Sequence, residues 1–217
     1  MWLKRLFIWF VRITGIIPYL ICFRTKVFYE NKKKQSLRIK GKAIVVSNHN
    51  SIMDVAVMLF LLWRRCPRTL VAEVMFKKSA LMEIFLNALG CIRVNRDSYD
   101  YSFIDKCCKI LDKGGLIEVY PESRLVRKGE TKPLPFKPST VIMALRSGAP
   151  IIPFYNEGVY FSTKSNSVIV GEPFYAREYY DDNLSERENI EIITEKLRDR
   201  VIELGKELER QKSDKKD

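Results

Sequence analysis

Histidine is nearly absent from this chain, with one copy, His49, in 217 residues. That scarcity excludes HExxH motifs and the Cys/His metal constellations outright. Cysteine is also sparse: the five, at 22, 66, 91, 107 and 108, are odd in number and form no CxxC pair. Neither a disulfide framework nor a zinc site is suggested, and the expected compartment is a reducing one. Cys91, Cys107 and Cys108 read as small hydrophobes and none is a candidate nucleophile. Acidic residues are missing from one region in particular. Residues 1–42 carry eleven Lys/Arg against Glu30 alone, a balance of +10 out of +12 for the whole chain.

What is present starts with an apolar N-terminus. From Leu6 to Phe23 the chain reads LFIWFVRITGIIPYLICF, interrupted by Arg12, Gly15 and Pro18. A spanning helix needs ~20 largely uncharged residues, and a proline breaks or kinks a helix interior. The stretch therefore reads as two short helices in one leaflet, with Trp and Tyr at headgroup level and lysines on the phosphates. Lys32, Lys33 and Lys34 would sit on the cytoplasmic side of the cell membrane. A single tilted span, a soluble helical hairpin and a signal peptide are the alternatives. No A-x-A-like cleavage site follows to support the last.

The remaining residues, 47% hydrophobic over the chain, are enough for one well-filled core. "LRIKGKAIVVS" reads as a β segment at 37–40, a Gly turn, and a buried strand ending at Ser47. A buried helix is expected over 53–64, and strands over 69–73, 91–94, 116–120, 150–154 and 167–170. Helices over 80–89, 103–113 and 138–147 intervene. Strands alternating with helices predict a single α/β domain with a mostly parallel sheet flanked by helices, preceded by the membrane-associating segment. Ile190, Ile193, Leu197, Val201, Leu204 and Leu208 recur at helical spacing, so the C-terminal helix is amphipathic. The expected division is 1–30 for the membrane-associating helices, 31–210 for the α/β domain and 211–217 for a disordered tail.

His49 follows the strand "AIVVS" almost directly, at the end of a strand where ligands usually bind in such a sheet. If His49 stays in the loop, the chain can fold back so that Asp54 meets Nδ1. This fixes the tautomer and leaves Nε2 free as a base. A second reading is open at this point: Ser51 to Asp54 is also an [ST]xx[DE] capping box. Other polar groups share the strand-end position: Arg96 after "GCIRVNR", and Glu122 and Arg124 in "VYPESR". Guanidinium forks match phosphate oxygens, so these residues can hold an anion beside a base.

These segments resemble the four ordered blocks of the glycerolipid acyltransferases related to lysophosphatidic acid acyltransferase. NHxxxxD matches Asn48, His49 and Asp54; the second block matches Gly90, Ile92, Val94 and Arg96. Pro121 and Glu122 fit the third block, with Tyr120 in place of its Phe, and Ala149 to Pro153, including Pro150, fit the fourth. The resemblance covers roughly residues 40–155. It implies an O-acyltransferase that needs no cofactor, takes acyl-CoA or acyl carrier protein as co-substrate, and acylates the free hydroxyl of a lysophospholipid. The expected acceptor is 1-acylglycerol-3-phosphate, giving phosphatidic acid. His49 would be the general base and Asp54 its orienting partner. Arg96, Glu122, Arg124 and Lys137 would form the acceptor phosphate site. Asn48, Gly90, Pro121, Pro150 and Pro153 would be scaffold.

One block departs from the pattern. Arg124 comes two residues after Glu122 where the common form has three, and Ser123 replaces a glycine, so the loop loses an easy φ > 0 position. The departure bears on the acceptor, and another lysophospholipid is the alternative within the same chemistry. A non-catalytic membrane-surface protein is a second class, against which the His/Asp pair speaks. Nucleic-acid binding is a third, disfavoured because the basic arm is interleaved with aromatics.

Overall fold

In the computed structural model, residues 2–95, 101–127, 129–130 and 133–214 are described. The chain opens with α1 (Trp2–Cys22), then β1 (Lys26–Tyr29), β2 (Ala43–Ser47), α2 (Asp54–Leu61), β3 (Arg68–Ala72) and the single turn α3 (Glu73–Phe76). It continues through α4 (Ala80–Leu89), β4 (Ile92–Val94), α5 (Ser102–Asp112), β5 (Leu116–Val119), α6 (Ser139–Ser147), β6 (Ile151–Asn156) and β7 (Ser167–Val170). A 3₁₀ turn (Ala176–Tyr179) leads to the long α7 (Glu186–Ser213).

The seven strands form one sheet in the order β1-β7-β6-β2-β5-β3-β4. Every pairing is parallel except β6 with β7. Strands covered on both faces need apolar residues at every position, and all five of β2 are buried. Its alternate side chains serve two cores. Ile44 and Val46 join Ile117, Val119 and Ile151 beneath α5, α6 and α7. Ala43 and Val45 join Ile152 and Phe154 beneath α1 and α2. The stripe Ile193, Leu197, Val201, Leu204 and Leu208 is buried along α7, as its spacing predicts. Ser185 and Glu188 close a capping box at that helix's start.

Four expectations need correction. The N-terminal segment is one 21-residue helix running through Pro18, not two short ones. Packing holds it together: Tyr19 stacks on Phe60 at 4.4 Å and Phe7 meets Phe85 at 5.9 Å. Arg12 does not interrupt the outer face either. Its buried guanidinium turns inward and donates to the carbonyls of Leu59, Leu62, Trp63 and Arg65 at 3.0, 3.1, 2.6 and 2.7 Å. Leu59 lies in the last turn of α2 and the other three follow it; the Leu62 carbonyl also accepts the Arg65 main-chain N–H at 2.8 Å, and a cation at this end opposes the helix dipole.

The predicted β segment at 37–40 is irregular; the edge strand is instead β1, at Lys26–Tyr29, so the sheet begins before residue 31. Leu37 and Ile39 pack on the core without pairing as a strand. Finally, residues 211–213 of the expected tail continue α7, where Gln211 donates to the Tyr29 carbonyl at 3.1 Å and Lys212 pairs with Glu157 at 2.5 Å. Residues 215–217 lie outside the described residues.

Candidate active site

Three neighbouring central strands end together. Val46 of β2 is level with Val119 of β5, and Ser47 is level with Phe154 of β6. The residues that follow these ends therefore meet at one edge of the sheet.

His49 sits in the loop between β2 and α2, and its Nδ1 lies 2.9 Å from Asp54 Oδ2. The same carboxylate oxygen accepts the main-chain N–H groups of Asn50 at 2.7 Å and Ser51 at 2.9 Å. The loop thus wraps around a carboxylate that is wholly buried at the first residue of α2. Half of the capping box forms here: Asp54 takes the Ser51 N–H, while Ser51 Oγ accepts from Met53 N at 3.2 Å. The cap and the histidine contact coexist on one carboxylate. Among the described residues, none hydrogen-bonds the histidine's Nε2.

Glu122 is buried, its Oε1 accepts the His49 main-chain N–H at 2.7 Å, and its Oε2 accepts that of Leu134 at 2.8 Å. Burial pushes its carboxyl above the usual glutamate range, against the pull of those two N–H groups and of His49. Through Oε1, Glu122 anchors the histidine's backbone.

Arg124 is exposed and makes a two-pronged pair with Glu130 at 2.7 and 2.8 Å. That pair raises its pKa further above its ordinary value. Lys137 is exposed, with its main-chain N–H on the Pro121 carbonyl at 2.9 Å. Arg96 lies outside the described residues. Ser123 adopts φ +60°, so the loop keeps the left-handed turn that the missing glycine would have made easily.

The scaffold residues have physical reasons. Gly90 ends α4 at φ +79°, and a Cβ there would lie 1.5 Å from the Arg68 guanidinium. The left-handed φ is the firmer demand, since the arginine's far end can swing aside. Pro150 presents its carbonyl to Ile44 N at 2.9 Å, and Pro153 presents its own to Gly171 N at 2.8 Å. Asn48 is buried and exchanges two hydrogen bonds with the Asn156 backbone, at 2.9 and 2.8 Å. This ties β2's end to β6's.

Several site residues were not singled out in the sequence. Asn156 ends β6 and donates from Nδ2 to Asp54 Oδ1 at 3.2 Å, and Tyr160 donates its hydroxyl to the same oxygen. Tyr120, already placed in the third block by sequence, holds its ring 4.5 Å from that of His49, and its hydroxyl donates to the buried Glu118, which was not singled out, at 2.6 Å. Thr69 donates to the other Glu118 oxygen at 2.7 Å. Tyr120 also walls a pocket of about 180 Å³, shared with Val94, Asn95, Phe103, Pro121, Ser123 and Lys137. Among the described residues, no cluster of His, Cys, Asp and Glu is placed to hold a metal ion. Burial pushes the Cys107 thiol up to about 12, which keeps it protonated and inert.

A family profile described as Acyltransferase matches residues 26–157, more than half the chain. The chain is 30% identical over 126 residues to 1-acyl-sn-glycerol-3-phosphate acyltransferase of Borreliella burgdorferi, covering 56% of this chain and 49% of that protein. It is 25% identical over 170 residues to human 1-acyl-sn-glycerol-3-phosphate acyltransferase beta, covering 74% and 58% respectively. The chain thus spans about half the length of the curated relatives it matches. The crystal structure of the 1-acyl-sn-glycerophosphate (LPA) acyltransferase PlsC from Thermotoga maritima superposes with a TM-score of 0.64. That match covers 93% of this chain and 81% of that one at 19% identity, and it speaks for a shared fold.

Proposed function

The chain belongs to the acyltransferase family, and on that premise we propose that it moves an acyl chain from a thioester to the free hydroxyl of a lysophospholipid. The proposed acceptor is 1-acylglycerol-3-phosphate, the product is phosphatidic acid, and His49 is the general base. One observation carries this reading: His49 Nδ1 is held at 2.9 Å by a wholly buried Asp54, while Nε2 has no partner among the described residues. A carboxylate on Nδ1 fixes the tautomer that leaves a lone pair on Nε2.

In the proposed step, Nε2 takes the acceptor's hydroxyl proton as that oxygen attacks the thioester carbonyl carbon. A C–O bond forms and the C–S bond breaks. The departing thiolate then recovers the proton from the imidazolium, which Asp54 has stabilised in the interval. Glu122 supports this by fixing the histidine's backbone at 2.7 Å. Lys137 at the pocket rim, with Arg96 and Arg124, supplies the positive charge for the acceptor phosphate. Arg124 must exchange or share its Glu130 partner to do so.

Membrane binding fits the outer surface. Trp2, Leu3, Phe10, Ile13, Ile17, Leu20 and Ile21 of α1 are exposed, and Leu81 and Ile84 of α4 extend the apolar face. The helix is long enough to cross a bilayer by composition, but it lies along α2 and α4 with Arg12 tied to the domain. A helix docked along its length suits one leaflet, with flanking Lys4 and Arg5 on anionic headgroups at the cytoplasmic face.

A second acceptor is favoured by one specific observation, the shortened third block in which Arg124 is held by Glu130. The test is a thiol-release assay pairing acyl-CoA, and separately acyl carrier protein, with lysophosphatidic acid, lysophosphatidylethanolamine and lysophosphatidylcholine. Preference for lysophosphatidic acid, with Arg124→Ala raising KM for that acceptor alone, supports the first reading. Preference for a zwitterionic acceptor replaces it with the second. No thiol release with any pair would overturn both.

A further inference from the structure

Asp54 has two carboxylate oxygens with different surroundings. Oδ2 faces His49 and the N–H groups of Asn50 and Ser51. Oδ1 receives the Tyr160 hydroxyl and Asn156 Nδ2, and Asn156 also donates to the Tyr160 oxygen at 2.6 Å. The orientation of the carboxylate toward His49 therefore depends on a tyrosine 106 residues away in sequence.

Tyr160 is held in place by the end of α1. Its ring lies 5.3 Å from that of Phe23. The loop around it is clamped to the same point: Phe161 N donates to the Cys22 carbonyl at 2.8 Å and Asn166 N to the Phe23 carbonyl at 3.2 Å. Lys26 N returns a bond to the Asn166 carbonyl at 2.8 Å. Arg24 and Phe161, on the two sides of this junction, are both held left-handed, at φ +45° and +52°. Side chains of that size adopt such backbone only where their surroundings compel it.

We infer that Tyr160 is a positioning residue for the His49–Asp54 pair, and that the C-terminal end of α1 sets its place. The helix proposed to lie on the membrane thereby bears on the carboxylate that orients the base. This rests on the acyl-transfer reading for its kinetic consequence, although the contact itself is independent of it.

The test is Tyr160→Phe in the full chain on phosphatidylglycerol-containing vesicles, which keeps the ring against Phe23 and removes only the hydroxyl. Losing a hydrogen bond to a charged group in the reacting arrangement predicts a kcat lower by about tenfold, with KM for both substrates within about twofold.

Phe23→Ala, which withdraws the supporting ring but leaves the hydroxyl, should lower kcat in the same direction with unchanged vesicle binding. Wild-type kcat in Tyr160→Phe would overturn the positioning role. Loss in Tyr160→Phe with none in Phe23→Ala would overturn the part assigned to α1. A readout free of activity separates this from failure of the enzyme reading. The sole histidine makes its Nδ1–H resonance unambiguous by NMR, and that resonance should be exchange-protected in the wild type and weakened in Tyr160→Phe. An unchanged resonance would contradict the inference even if no acyl transfer were found.

Discussion

Glu118 offers the sharpest quantitative test of the buried network beneath the site. It lies on β5 with 1% of its surface exposed, and its two oxygens accept from Thr69 at 2.7 Å and Tyr120 at 2.6 Å. Burial pushes its carboxyl from the ordinary 4.5 up to about 7; the two hydroxyls pull it down and the Asp54 charge pushes it up. The folded protein therefore keeps this proton over a range where the unfolded chain has released it. Stability from the raised pKa is complete below the unfolded value and is lost as pH rises through about 7. At 1.36 kcal/mol per unit, the loss between pH 5 and pH 8 comes to roughly 2–3 kcal/mol.

Glu118→Gln is nearly isosteric and does not titrate, so it should not show this loss. The assay is urea unfolding of both proteins in the same mild detergent at pH 5 and pH 8. Other titrations are common to the two chains and largely cancel in the difference. The wild type should lose roughly 2–3 kcal/mol more than the variant, a relative midpoint shift of about 1 M urea. Parallel pH dependence, or a variant that loses more than the wild type, would refute the reasoning.

Three further outcomes follow from other contacts. Arg12→Ala strips the carbonyls of Leu59, Trp63 and Arg65, at and just past the end of α2, of the guanidinium donor, and takes one of two donors from that of Leu62. It should destabilise the fold by about 3 kcal/mol in urea titrations, and an unchanged midpoint would contradict the capping role. Ser123→Gly removes the cost of a side chain at φ +60° and should stabilise by about 0.5–1 kcal/mol in thermal melts, whereas a lower Tm would argue that Ser123 makes a compensating contact. Asp54→Asn replaces the acceptor of three N–H donors and should lower kcat by about 10²–10⁴ with little change in vesicle binding; a loss under threefold would remove Asp54 from the mechanism.

The parts legible in the sequence were those set by local pattern. The continuous apolar run 43–46 marks a strand covered on both faces, and with Ser47 it is β2. Gly90 and the 167–170 run ended up where periodicity and turn chemistry put them. His49 and Asp54 are close enough in sequence for one loop to join them, so their contact could be anticipated. Asn156 and Tyr160 could not, because they reach Asp54 only through the β6 pairing with β2, and an amide and a phenol carry no motif of their own. One signal was present: Asn156 falls just after the fourth block, two residues past the end of a strand expected to lie in the same sheet.

Glu122 shows a different limit. Its place at a strand end was legible, but not that its two oxygens would take the main-chain N–H groups of His49 and Leu134. Arg12 and Pro18 were read as breaks because pattern rules weigh each residue against solvent or lipid. Packing against α2 gives the arginine four carbonyls and keeps the helix continuous through the proline. In both cases tertiary partners decided the outcome.

The central claim is that His49, oriented by Asp54, removes the acceptor's proton. It is tested most directly by kcat for thiol release from acyl-CoA with lysophosphatidic acid, in the wild type and in His49→Ala of equal Tm and vesicle affinity. Measurable turnover in the wild type and loss of at least about 10³-fold in the variant is the predicted result. Turnover in His49→Ala within tenfold of an active wild type would contradict it.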